Sequence, residues 1–360
     1  MSECVEHESA LCARIAEIIA DFRQDEMGIP KMDAAHVGRW VGQFEQADRL
    51  PILAGMAAVL PRSYFSRART LACIQGMVRT NKIARGVELR QFWRSVGFLK
   101  LQEDGKSQVA MLEAFDQAMR EALGFGISDT QPDGRTYLYL DDALFSGNQA
   151  GKLLKKWIEE NDAEACRIIA LFMGIHTNGE WYLCKRLLKD LADKRGIEID
   201  VWHNTAIENS LTYRYSAHVL WPTAVPTHPA VQRWEATLQR GRDDWFHARP
   251  PGGGPSTEWF GSEEIRQVME RAFFEKGAEI IGFSQEPNPY LRPLGFSKLE
   301  SPGFGTLFAT HWNCPNNAPL VLHWGDPNES GPLGRWYPLL PRRAWQRTSA
   351  ITDFSALFDE

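Results

Sequence analysis

Apolar residues recur at spacings of three and four early in the chain: Leu11, Ile15, Ile18, Ile19 and Phe22, then Val37, Trp40, Val41 and Phe44 behind a capping Asp33. Both patterns predict amphipathic helices. Further helical stretches are expected near residues 47–59 and 66–80, with proline breaks at Pro30, Pro51 and Pro61. Residues 1–95 therefore read as an N-terminal helical region. The period then changes. Phe98-Leu99-Lys100-Leu101-Gln102 reads as a short strand, followed by a polar loop to Ser107 and a helix from about Gln108 to Leu123. Thr136-Tyr137-Leu138-Tyr139-Leu140 has strand character and ends in Asp141-Asp142. A helix over Lys152–Glu160, a buried strand over Arg167–Met173, a helix over Glu180–Lys194 and a strand over Ile197–Trp202 follow. Strand and helix alternate at this pace in parallel α/β sheets. Beyond residue 203, Pro250-Pro251-Gly252-Gly253-Gly254-Pro255 predicts a mobile loop over 249–256, and Ser262 opens a helix to about Lys276. Phe304–Trp312 and Leu320–Trp324 read as two late strands joined by the turn Asn313–Asn317.

Composition narrows the class. The 360 residues are 44% hydrophobic and include 13 Trp and 19 Phe, too much apolar surface for a disordered chain. A net charge of −6 argues against a protein coated with positive charge for nucleic acid. The six cysteines form no CxxC pair, so no zinc framework is expected and no metal ligands are assigned. Without a disulfide pattern or a signal peptide, a cytoplasmic location is expected. The strongly apolar run Ile168–Met173 is far short of the roughly 20 residues that span a bilayer, so no membrane partner is expected.

The chemistry concentrates in Tyr137–Gln149. A buried strand delivers two adjacent carboxylates to the carboxyl edge of a parallel sheet, where open α/β folds bind ligands. A turn of small residues and a helix N-terminus come next, whose amides suit a phosphate. Carboxylates suit hydroxyls or hydrated Mg²⁺, so a sugar phosphate satisfies both halves. The plainer alternative is a solvated acidic pair ending a strand, with Gly147 serving only the turn. If Gly147 has a backbone conformation or a ligand clearance that a side chain spoils, Gly147→Val should remove binding of 5′-phosphorylated ligands while leaving the melting temperature within a few degrees.

This stretch resembles the phosphoribosyl-diphosphate (PRPP) loop of type I phosphoribosyltransferases: apolar residues, an acidic pair, then a loop usually ending Thr-Gly-x-Thr. Asp141 and Asp142 match the acidic pair and Ser146-Gly147 the Thr-Gly step, while Gln149 departs from the final Thr. The resemblance implies that Asp141 and Asp142 hold the ribose hydroxyls and that Phe145, Ser146, Gly147, Asn148 and Gln149 wrap the 5′-phosphate, with Mg²⁺ accompanying PRPP or a nucleotide. Gly105, Lys106 and Ser107 lie where the family places its diphosphate loop. They form no Walker A loop, because the glycine needed five residues earlier is Lys100; a solvated turn with a Ser cap is the alternative.

More of the chain is similar to one group, the phosphoribosyltransferase-like proteins of bacterial conflict (anti-phage) systems called the PRTase-CE type. Arg39–Phe44, Phe98–Gln108, Asp141-Asp142, Ile207–Ser210, Asn316–Leu320 and Trp336–Arg342 carry this likeness. It implies a type I phosphoribosyltransferase-like, mostly parallel sheet over residues 96–360, with C-terminal strand and helix additions. It also implies a role in antiviral defence, in association with retrons, beside a reverse transcriptase and a DNA-binding-type subunit. Three functions stay open: a toxic effector enzyme acting as a pentosyl (phosphoribosyl) transferase or nucleotide-modifying enzyme; a non-catalytic nucleotide sensor or assembly subunit; and a nucleic-acid-contacting component of a reverse-transcriptase complex, resting on Arg335, Arg342, Arg343 and Arg347 among Trp336, Tyr337 and Trp345. Asn313, Asn316 and Asn317 could read a base edge, or simply form a turn. The connection Gly124–Arg135 is too short for the family's usual catalytic hairpin, which makes segment 249–256 or a partner the candidate lid.

Overall fold

A computed structural model describes residues 2–102, 107–238, 246–251, 256–284, 287–298, 301–326 and 328–342. The chain divides into two compact units: Met1–Ser66 with Glu208–Glu360, and Arg67–Ile207. The expected helical region 1–95 therefore straddles both, its last helices belonging with the sheet that follows.

The discontinuous unit begins with α1 (Ser2–Ile18), α2 (Ala34–Val41), α3 (Gln46–Ser63) and the short strand β1 (Tyr64–Phe65). Asp33 caps α2 as its pattern predicts, accepting a hydrogen bond from His36 N at 3.0 Å. Pro51 and Pro61 do not break the chain but lie inside α3. An interior proline costs about 3 kcal/mol, and here burial of Ile52, Leu53, Met56, Val59 and Leu60 outweighs it.

The second unit carries α4 (Arg67–Arg79), α5 (Asn81–Ala84), α6 (Leu89–Ser95), β2 (Gly97–Leu99), α7 (Ser107–Leu123), β3 (Thr136–Leu144), α8 (Asn148–Glu160), β4 (Arg167–His176), α9 (Thr177–Tyr182), α10 (Lys189–Arg195) and β5 (Glu198–Ile207). The strands form a parallel sheet in the order β2-β3-β4-β5. Its two faces are covered by different helices. Phe98, level with Leu138, packs on Phe115 of α7 at 5.6 Å, whereas the next-door Tyr137 packs on Trp157 of α8 at 4.6 Å. The expected helix over Glu180–Lys194 is instead α9 and α10 joined by a π-helical turn, Leu183–Leu187. β4 is buried along its whole length, as its apolar run predicts.

The first unit resumes with α11 (Pro229–Thr237), α12 (Ser256–Phe260), α13 (Glu263–Ile281), β6 (Ala309–Thr310) and α14 (Leu320–His323). Ser262 caps α13 through Ile265 N at 3.1 Å. The two late strands are not formed as expected. Only Ala309 and Thr310 find a parallel partner, in Tyr64 and Phe65, and Leu320–His323 is a buried helical turn. A short run buried on all sides has no periodicity to separate strand from helix.

The N-terminal helices and residues 336–341 share one core. Trp40 Nε1 donates to Val321 O at 2.8 Å, Gln43 exchanges two 2.8 Å hydrogen bonds with the backbone of Tyr337, and Arg23 Nη1 donates to Pro341 O at 2.6 Å. His36 donates from Nε2 to Leu339 O at 2.8 Å, which leaves Nδ1 to accept from Tyr337 OH at 2.7 Å. Burial lowers its pKa and keeps it neutral. The two aromatic ends of the sequence pattern thus meet in one cluster. Across α13, Arg249, Arg266 and Glu270 are all buried and mutually paired. Arg249, the first residue of the expected mobile loop, is therefore anchored; residues 252–255 lie outside the described residues.

Candidate functional site at the carboxyl edge of the sheet

β3 does not stop at the acidic pair, as expected, but carries it inside the strand. Asp141, Ala143 and Leu144 keep pairing with Phe172, Gly174 and Ile175 of β4. Neighbouring strand residues face opposite ways. Asp141 therefore shares the face of Tyr139, and Asp142 takes the other. Both are buried, at 7% and 6% exposure.

Asp141 is held from three sides. Its Oδ2 accepts from Gln102 Nε2 at 2.6 Å and from Tyr139 OH at 2.9 Å, and its Oδ1 accepts from Asp142 N at 2.9 Å. Burial, and next the Asp141 charge, push the Tyr139 hydroxyl well above its ordinary pKa, so it stays a donor. Gln108 fixes the neighbouring stem. Fully buried, it accepts from Leu101 N and Gln102 N at 2.7 and 2.9 Å, and donates to Leu140 O at 3.1 Å. One amide side chain thereby ties the carboxyl end of β2 to β3. Gly105 and Lys106 lie outside the described residues, and Ser107 opens α7.

The loop Phe145-Ser146-Gly147 leads straight into α8, which begins at Asn148, earlier than its pattern predicts. Gly147 is the N-cap with φ +75° and supplies no side-chain cap. Ser146 Oγ accepts from Asn148 N at 3.4 Å. Ser146 and Gln149 are exposed, Phe145 and Asn148 half-buried. Amides at the start of this helix favour an anion.

His176, at the end of β4, braces the loop from below. It is fully buried, donates from Nδ1 to Leu144 O at 3.0 Å, and lies 5.2 Å from the Phe145 ring. Desolvation lowers its pKa to about 4, so it is neutral at pH 7. Gln102, His176 and Gly179, whose Cβ would stand 2.0 Å from Phe145 O, are the site residues that the sequence reading missed, together with the tie that Gln108 makes to β3. Their signal lies only in their position, beside strand ends that flank the acidic pair.

Asp141, Asp142 and Phe145–Gln149 are thus together at one sheet edge, with the stem of the loop after β2 next to them. Asn313, Asn316 and Asn317 belong to the other unit. There Asn316 is buried and Asn317 Nδ2 donates to Phe296 O at 3.1 Å. Arg335 lies over the Phe283 ring at 5.6 Å, and Arg343 and Arg347 lie outside the described residues. Segment Gly124–Arg135 enters β3 at its amino end and is tied to α6, with Gln131 N donating to Arg94 O and Asp133 N to Ser95 O.

A family model named PRTase-CE matches residues 37–342, most of the chain. The chain belongs to the PRTase-CE family. As a PRTase-CE protein it is phosphoribosyltransferase-like, and its mixed α/β fold with a parallel sheet agrees with that. Neither the curated proteins nor the solved structures searched contain a match. Among the described residues, no helix is long and apolar enough to cross a membrane. Nor does any group of three or more His, Cys, Asp or Glu side chains among them suit a metal ion. Because Asp141 and Asp142 face apart, Mg²⁺ fits this PRTase-CE site only through one carboxylate, with the remaining oxygens from water and the ligand.

Proposed function

We propose that this chain binds PRPP, or a nucleotide carrying the same 5′-phosphoribosyl unit, at the carboxyl edge of its parallel sheet. One observation carries the reading. A buried acidic pair in the last residues of β3 is followed by the short loop Phe145–Gly147 and the N-terminus of α8, where the N-cap Gly147 supplies no side-chain cap. In this reading a carboxylate accepts hydrogen bonds from the ribose hydroxyls, and the amides of Gly147–Gln149 hold the 5′-phosphate. Mg²⁺ arriving with the ligand would neutralise diphosphate charge. Leu101, Gln102 and Gln108 flank the diphosphate end.

The same proposal places the protein in bacterial anti-phage defence, as an effector or accessory subunit working with the protein partners of a retron. The support for that role is the PRTase-CE membership. A binding rather than freely catalytic role is favoured by the pinned segment Gly124–Arg135, which offers no lid to keep water from an activated ribose. The test is a thermal melt of the isolated chain with PRPP and Mg²⁺, run beside a diphosphate-release assay against a nucleotide panel. Ligand should raise the melting temperature with negligible diphosphate release. Multiple turnovers by the lone chain would instead establish a free-standing transferase.

A further inference from the structure

We infer that Gln102 is a positioning residue that couples the carboxyl end of β2 to the acidic pair, so that the two ends of one ligand are read together. The inference rests on the PRPP reading of this site and goes beyond it. It follows from a closed circuit of hydrogen bonds. Gln102 Nε2 donates to Asp141 Oδ2 at 2.6 Å, while the backbone N–H of Gln102 donates to Gln108 Oε1 at 2.9 Å. Gln108 Nε2 returns to Leu140 O at 3.1 Å, one residue before Asp141. The stem of the loop after β2 is therefore joined to β3 twice, once through a fully buried amide and once through a carboxylate.

The two links differ in kind. Gln108 has 0% exposure and, among the described residues, its side chain bonds backbone groups, so it fixes geometry. Gln102 is half-buried and donates both to the Asp141 carboxylate and, at 3.3 Å, to the Tyr139 hydroxyl; the first is a charge-assisted contact that responds to what else that carboxylate meets. Tyr139 supplies the reference point. Its hydroxyl donates to the same Asp141 Oδ2 at 2.9 Å from a fully buried ring. Asp141 is thus held on the strand side by Tyr139 and on the loop side by Gln102. A diphosphate bound at the end of β2 acts on the stem Leu101–Gln102, and through Gln102 it orients Asp141. A ligand lacking that diphosphate leaves this path unused. The coupling is reciprocal, because it is a free energy shared by two sites.

The experiment measures binding of PRPP with Mg²⁺, and of ribose 5-phosphate, to the full chain and to three variants: Gln102→Leu, Tyr139→Phe and Asp141→Asn. Gln102→Leu should weaken PRPP at least tenfold and leave ribose 5-phosphate within twofold. Tyr139→Phe should weaken both ligands, because it removes the strand-side donor to Asp141 and with it the 3.3 Å partner of Gln102. Gln102→Leu combined with Asp141→Asn should cost PRPP affinity no more than Asp141→Asn alone, since both break one link. A merely structural role for Gln102 would lower the melting temperature and reduce both ligands equally, and that result overturns the inference. So does unchanged PRPP affinity in Gln102→Leu. A wild-type chain that binds neither ligand overturns the phosphoribosyl reading itself, a different outcome from wild-type binding with an indifferent Gln102 variant.

Discussion

A Cβ atom on Gly147 would stand 2.4 Å from the carbonyl oxygen of Gly179. The reverse also holds: a Cβ on Gly179 would stand 2.0 Å from Phe145 O. The loop after β3 and the first turn of α9 touch backbone to backbone, and Gly147 sits at φ +75° besides. This corrects the expectation that a side chain at Gly147 spares the fold. Gly147→Ala and Gly179→Ala should each cost about 1–3 kcal/mol, lowering the melting temperature by several degrees with or without ligand. Gly151→Ala is the control. Its Cβ would meet the flexible end of Leu187 at 2.3 Å, so its melt should change less. Equal melting of all three variants would contradict the backbone-contact account.

The buried ion cluster on α13 makes a second prediction. Glu270 accepts from Arg266 Nε at 2.7 Å, Arg249 Nη2 at 3.0 Å and Trp221 N at 2.9 Å. Removing the carboxylate leaves the buried Arg266 guanidinium without this ion pair and Arg249 with Glu263 alone. Glu270→Ala should destabilise the discontinuous unit by about 3–5 kcal/mol, measured by urea denaturation. A loss under about 1 kcal/mol would show that the guanidiniums find other compensation.

Two fully buried histidines set a pH dependence. Burial lowers His176 to about 4 and His323 to about 3, against 6.5 for an exposed imidazole. Between pH 6.5 and about 4 the unfolded chain binds protons that the folded chain does not. Stability should therefore be flat above about pH 7 and fall as the pH drops, by up to about 1.4 kcal/mol per pH unit for each histidine. His176→Asn should flatten this slope for the sheet unit. An unchanged slope in that variant would mean that His176 is not the group taking up the proton.

Much of the sheet was legible because a parallel strand buried on both faces has no polar face to disguise it, as Ile168–Met173 shows. The acidic pair was legible for a related reason: two carboxylates after an apolar strand are costly without a task or partners. The boundaries were less so. Nothing in the local pattern says that β3 continues through Asp141 and Asp142, since the hydrogen bonds that extend it come from β4. Pro51 and Pro61 misled because local propensity yielded to the burial of α3. The ties that Gln102 and Gln108 make to β3 were missed because a glutamine carries no chemical signature until the fold sets it between two strand ends. The unit boundary at Ser66 was hidden for the same reason: the partners of Trp40 and His36 lie about 300 residues away in sequence.

The central claim is that the edge of β3 is a phosphoribosyl site, and isothermal titration of PRPP with Mg²⁺ tests it most directly. Asp141→Asn combined with Asp142→Asn is the informative variant, because the two carboxylates face apart and the double change removes whichever charge meets the ribose. A lost charged hydrogen bond is worth roughly 1.5–3 kcal/mol. The wild-type chain should therefore bind PRPP, and the double variant should bind it at least tenfold more weakly with an unchanged circular dichroism spectrum. No heat of binding from the wild-type chain, or equal affinity in the double variant, would contradict the account.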